Sequence, residues 1–191
     1  METPPVRLVH QRDTHRLVSC RHLPDADSVL TRIADDEDLA AVFELDAATN
    51  DRLHAEHVGG PGIGPEELVA AVPLASVVNA AFAHPHPLGA RFSGPERGAW
   101  YAAFELETAQ AEVAFHKGIE LAEVGWRDES VTYDDYVADF NAEFHDIRRA
   151  RAFRACLAPD SYQASQALAS RLLAAGSLGV VYPSVRHAGG T

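Results

Sequence analysis

The chain has 191 residues, 47% of them apolar, and a formal charge of −12 at pH 7. That length suits one domain with a sizeable core and is too short for two full ones. The negative field opposes non-specific contact with nucleic acid or an anionic membrane, so any anionic ligand needs a local positive pocket.

Lys117 is the sole lysine, so cationic chemistry here means guanidinium. That bias suits bidentate recognition of phosphate or carboxylate, and a GC-rich genome would produce it equally well. Cys20 and Cys156 lie far apart, with neither the density of a disulfide scaffold nor the pairing of a zinc site, which points to a reducing cytoplasm. No apolar run is long enough for a signal peptide or a membrane span.

Residues 1–24 are polar, rich in histidine and arginine, and carry no clean period, which supports no more than a short strand or an ordered tail. From Asp27 to about His57 the apolar positions Val29, Leu30, Ile33, Leu39, Val42, Phe43, Leu45 and Leu53 recur at helical intervals, predicting two or three amphipathic helices. Gly59–Leu68, GGPGIGPEEL, reads as a glycine-rich connector into a helix start at Pro65-Glu66-Glu67. As a phosphate cradle it lacks the lysine and hydroxyl of a Walker loop. The following runs LVAAVP, ASVVNAAF, the segment around Arg91, and AWYAAF have a β-like texture. ELETAQAEVAFHKGIELAEV then predicts a helix with Ala109, Val113 and Leu121 inward. Tyr136, Ala138, Phe140, Ala142 and Phe144 alternate with polar residues, the period of a half-buried strand. A helix over about Ser161 to Ala175 stops at Gly176, and SLGVVYPS follows as a strand. The fold class is α+β, a mainly β core behind a helical front.

Four residues stand out as site candidates. Arg91, approached by Pro-Leu-Gly-Ala and followed by Phe92-Ser93-Gly94-Pro95, is expected to end a strand beside a turn and to face a cleft; the alternative is a surface ion pair. Tyr101 lies ten residues on, and a hairpin-like return would bring it near Arg91, where a phenol-bearing ring can stack on a heterocycle or donate to a phosphate. Core packing explains either Tyr101 or Trp100, since neighbouring strand residues face opposite sides. Glu112 sits among Ala111, Val113 and Phe115, so its carboxylate is a candidate for partial burial, while Glu105, Glu107, Glu120 and Glu123 read as solvated charge. Ser184 follows VVYP and precedes Arg186 and His187; a Ser-His-Asp hydrolase would want a G-x-S-x-G elbow, which is lacking. His84-Pro-His86 sits in a proline-rich turn and His54-x-x-His57 lacks a third ligand, so no metal site is expected.

GARFSG, AWYAAFE, TAQAEVAFH and VVYPSVRH, in that order, resemble the RES family, named for its arginine, glutamate and serine. The family pattern is Gly-Gly-Arg-Trp-Asn, a Leu-Tyr pair, an Ala-x-x-Glu helix and a late serine, and the likeness runs from Asn50 onward. The resemblance implies a single domain over 1–191, with 1–58 as an N-terminal helical extension and 59–191 as the catalytic core. It also implies an ADP-ribosyltransferase-like mixed or antiparallel β core with flanking helices. Further implications are a cytoplasmic toxin of a bacterial toxin-antitoxin pair and an activity that consumes NAD. Phosphorolysis to nicotinamide and ADP-ribose 1″-phosphate is the first expectation, with inorganic phosphate as co-substrate, NAD as substrate and no resident cofactor. Mono-ADP-ribosylation of a protein, or a truncated and inactive partner-binding domain, are the alternatives.

In that scheme Glu112 stabilises an oxocarbenium-like ribose, Arg91 clamps pyrophosphate or phosphate, Tyr101 orients the nicotinamide ribose, and Ser184 bonds the substrate near the scissile bond. Phe92 and Arg186 complete the binding set. The expected partner is an antitoxin carrying a helix-turn-helix DNA-binding domain, in a homodimer or a larger toxin-antitoxin hetero-oligomer, with no direct nucleic acid or membrane contact. The sequence departs from the pattern in Phe92-Ser93 where the family has Trp-Asn. It also departs in ending at HAGGT, where longer members continue with further strands. An upstream arginine near the first core strand has no clear equivalent, with Asn79 in that neighbourhood.

Overall fold

The computed structural model describes residues 2–20, 59–60, 62–125 and 130–191. The chain divides into two compact units, one made of Met1–Arg21 with Tyr101–Thr191 and the other of His22–Trp100. The helices expected between Asp27 and His57 lie outside the described residues.

The first unit is built on a long ribbon. Strand β1, Val6–Ser19, pairs antiparallel with β2, Tyr133–Asp146. The two-residue β3, Val180–Val181, adds to β2 in parallel, giving a mixed sheet in the order β1-β2-β3. β2 is the strand its period-2 pattern predicts. β1 was expected to be at most short, and its missing period has a specific cause. The register slips between Gln11 and Thr14, so that Arg12 and Asp13 together face Asp139. This is a β-bulge, and one extra residue reverses which side chains point inward. Val9 is buried before the bulge and Thr14 after it, so the inward set passes from odd to even positions. Asp13 takes a left-handed φ of 53°, and its N–H is satisfied by Asp139 Oδ1 at 2.9 Å.

Helix α2, Leu106–Glu123, packs against β1 and buries Thr108 and Ala109. After β2 the chain makes a 3₁₀ segment, Arg151–Leu157, that inserts Phe153 and Cys156, and then helix α3, Gln163–Ala174. Ile147, Leu168 and Leu172, at 1%, 2% and 3% exposure, form the centre of this core. α3 ends as its sequence predicts: Gly176 has φ +77°, and the N–H of Ser177 reaches back to Leu172 O. The SLGVVYPS strand contracts to Val180–Val181, because only there does the chain meet the β2 edge.

Helix α1, Ala75–Ala83, belongs to the second unit and corrects the β-like reading of ASVVNAAF. Val77 and Ala81 are buried one turn apart, and four of the nine residues are alanine, the strongest helix former. The LVAAVP run before it forms no strand. The glycine-rich connector folds back on itself through paired Gly60 and Ile63 backbone bonds and leads into a 3₁₀ turn, Pro65–Glu67. Glu67 bonds Gly64 N–H and also takes Arg97 Nη1 at 2.7 Å. Among the described residues no helix is long and apolar enough to cross a membrane.

Candidate active site

Glu112 and Ser184 come together across the first unit. Glu112 lies in the middle of α2, half-buried, and Ser184 follows β3 after the stiff Tyr182-Pro183 step. The Ser184 hydroxyl donates to Glu112 Oε1 at 2.6 Å, in the range of a bond to an ionised carboxylate. Ser184 Oγ in turn accepts the N–H of Arg186 at 3.1 Å and of His187 at 2.9 Å. A hydroxyl has one proton and two lone pairs, so all three are now committed. The serine proton has a single destination, the glutamate. Among the described residues Oε2 of Glu112 takes no hydrogen bond. This is no hydrolase triad, since the serine proton rests on a carboxylate and no imidazole nitrogen accepts it.

The turn that carries Ser184 is fastened to one stripe of α2. Thr108, Glu112 and Phe115 are spaced four and then three residues apart and therefore share a helix face. His187 Nδ1 meets Thr108 Oγ1 at 2.8 Å, Ser184 meets Glu112, and the Arg186 guanidinium lies 3.4 Å from the Phe115 ring centroid. Arg186 also donates Nη2 to Pro159 O at 2.8 Å, so its plane is set from two sides. Within the turn, Ser184 N–H bonds Gly190 O, and Gly190 N–H bonds His187 O. Any Cβ at Gly190 would strike Thr108 Oγ1, which is why the backbone can come this close. Glu105 is exposed, as its sequence suggested, yet its Oε2 also accepts the Thr108 hydroxyl at 3.0 Å and Thr191 N–H at 3.1 Å.

Tyr101 belongs to this unit too, and its backbone oxygen accepts Arg16 Nη1 at 3.1 Å. Arg16 carries a desolvated guanidinium that no sequence motif singles out. It follows the β1 bulge, on the inward parity shared with Thr14. Burial pulls its pKa below the ordinary arginine value, and the nearby Tyr101 phenol opposes that drop. A guanidinium desolvated in this way binds an anion more strongly than an exposed one would. Only the bulge, invisible in a strict alternation, would have disclosed it.

Arg91 and Phe92 lie in the second unit. They form the tip of a tight turn closed by reciprocal backbone bonds between Ala90 and Ser93, and they do not end a strand. Gly89 supports the turn with φ +70°. Arg91 is only 8% exposed, so it is not a surface arginine. Asn79 is a structural clamp, its side-chain amide bonding both the N–H and the C=O of Val69. Among the described residues no group of three histidine, cysteine or acidic side chains is placed to hold a metal. His86 Nδ1 instead accepts Leu88 N–H, and His54 and His57 lie outside the described residues.

With this geometry in place, comparison with family models finds the RES domain over residues 69–191, well over half of the chain. The chain belongs to the RES domain family. The matched range holds Arg91, Tyr101, Glu112 and Ser184 together and starts well after β1, so Arg16 falls outside it. Comparison with curated proteins gives no match.

Proposed function

We propose that this RES-domain chain cleaves the nicotinamide–ribose bond of NAD, with inorganic phosphate as the first-choice acceptor. The observation that carries the reading is the half-buried Glu112 carboxylate, aimed by a serine with no other use for its proton. The leaving nicotinamide takes the C1″–N bond pair and departs neutral, so no acid is required. Positive charge then develops on the ribose ring, and a fixed carboxylate stabilises it better than mobile water can. A phosphate oxygen forms the new bond to C1″, giving ADP-ribose 1″-phosphate. Within the first unit Arg16 is the guanidinium suited to a substrate phosphate, with Tyr101 as an aromatic surface and Arg186 as a further anion contact; for Arg91 and Phe92, in the second unit, the RES pattern alone supports a substrate-binding role.

The proposed setting is that of a toxin held by an antitoxin that carries the DNA-binding helix-turn-helix, in keeping with the −12 charge of this chain. The test is incubation of the purified protein with NAD, with and without phosphate, and product identification by mass. Nicotinamide and ADP-ribose 1″-phosphate formed only with phosphate is the expected result. Free ADP-ribose would make water the acceptor, and label on a protein would make the chain an ADP-ribosyltransferase. Intact NAD in every tube, from folded protein, would leave the partner-binding reading. Glu112→Gln should lower turnover by about a hundredfold or more without unfolding the chain, and full activity there would remove Glu112 from its role.

A further inference from the structure

Three side chains outside the expected arginine, tyrosine, glutamate and serine set, Glu105, Thr108 and His187, are tied into the same network. Glu105 is the N-cap residue of α2, yet its carboxylate does not cap the helix backbone. It is spent on the Thr108 hydroxyl and on Thr191 N–H. An ionised carboxylate has no proton to give, so the hydroxyl must be the donor in that contact. Its lone pair is then what faces His187 Nδ1 at 2.8 Å, and the ring nitrogen must carry the proton. Glu105 thus fixes the Thr108 rotor, and Thr108 fixes His187 with Nδ1 protonated. Thr108 is 1% exposed, so water does not compete for this contact.

His187 acts on the site through its other donor. Its backbone N–H is one of the two that occupy the Ser184 lone pairs and so direct the serine proton to Glu112. Thr108 and Glu112 stand one turn apart on α2, so the network leaves the helix at Thr108 and returns to it at Glu112. We propose that Thr108 and His187 are positioning residues, which hold the Ser184 turn on α2 so that one oxygen of Glu112 stays bound and the other stays aimed at the substrate. The catalytic consequence rests on the NAD reading above; the geometric one does not.

The experiment compares the wild type with Thr108→Val, Thr108→Ser, His187→Asn and His187→Gln in NAD turnover. Asparagine can place an N–H near the Nδ1 position, and glutamine carries its amide one carbon further out. Thr108→Val and His187→Gln should lower kcat about tenfold with KM for NAD within about twofold, while Thr108→Ser and His187→Asn keep at least about half of the wild-type kcat. Equal loss in Thr108→Ser and Thr108→Val, or kcat within about twofold of wild type in Thr108→Val and His187→Gln, would overturn the proposal.

Amide exchange on the same proteins supplies a readout that needs no turnover. Exchange at Arg186, His187 and Gly190 should quicken about tenfold in Thr108→Val and stay at the wild-type rate in Thr108→Ser. Unchanged exchange in Thr108→Val overturns the clamp. If the wild type leaves NAD intact, the NAD reading fails on that result alone, and the exchange data still decide the clamp. Should Thr108→Val not fold, His187→Gln against His187→Asn carries both readouts.

Discussion

At the scale of single residues, hydrogen-bond valence says more than proximity. Ser184 has spent both lone pairs on backbone amides and its proton on Glu112. Replacing it with alanine removes the aim of the carboxylate and leaves two amides without their acceptor. Steady-state kinetics of Ser184→Ala should show kcat reduced about tenfold or more, together with a lower thermal midpoint from the two orphaned amides; an unchanged kcat would make the serine incidental. Glu112 and Ser184 could be singled out because each sits in a short, ordered motif, but no motif told that the two side chains meet. The burial of Arg16 was hidden, since the bulge at Arg12-Asp13 decides its side of the sheet. Glu105 reads as exposed charge and is exposed, and its bond to Thr108 stayed hidden because a helix-start glutamate looks the same whether it caps the helix or braces a neighbour.

Asp146 closes the residue scale with a pH dependence. It is 7% exposed and bonded by the Arg148 side chain at 2.8 and 3.1 Å, a contact that, with the Arg148 amide and the more distant Arg7, outweighs burial and holds its carboxyl below the ordinary value. A carboxyl depressed in the folded state adds stability above its unfolded pKa and loses that share as pH falls through the folded one. Thermal melts of the wild type should therefore weaken from about pH 4 downward, with Asp146→Asn less stable by about 2 kcal/mol at neutral pH and flatter in acid. Parallel acid limbs for the two proteins would contradict this.

Elements were legible where a single period ran undisturbed. β2 and α2 show their periods openly and were found. α1 was misread because Val-Val-Asn in its middle has weak helix propensity, and its burial of Val77 and Ala81 one turn apart needs tertiary contacts to become visible. β3 was overextended because a short apolar run carries no information on how much of it meets a partner strand. Two glycines separate backbone conformation from packing, as a Cβ at Gly118 or at Gly176 would meet nothing within 4 Å. Gly118 lies inside α2, whereas Gly176 holds φ +77° after α3. Chemical denaturation should show Gly118→Ala more stable by up to about 1 kcal/mol and Gly176→Ala less stable by about the same amount. Shifts of the same sign would refute that account of the two positions.

On the scale of the whole molecule, the range matched by the family model leaves out β1, a strand of the sheet that it otherwise contains. It begins at residue 69, while β2 takes nearly all of its ladder from β1 at Val6–Ser19. A fragment of residues 69–191 would leave β2 with a bare edge and the inward face of the ribbon without Val9 and Thr14. Circular dichroism and melting of that fragment should show no cooperative transition, in contrast to the full chain. A sharp melt would mean that β1 is an accessory. The −12 charge bears on the field around the molecule, but no composition could have announced that the first strand and Ser184 belong to one compact unit.

The separation of β1 from β2 has a consequence in time. Asp13 and Asp139, which meet at the bulge, stand 126 residues apart. A chain leaving the ribosome from its N-terminus makes β1 first and must keep it unpaired until β2 has been translated, so the central ribbon closes late and at a high cost in loop entropy. Ser184 emerges later still, only a few codons before the last residue described. The Glu112 carboxylate is therefore unaimed until the 72 residues that separate it from Ser184 have been translated.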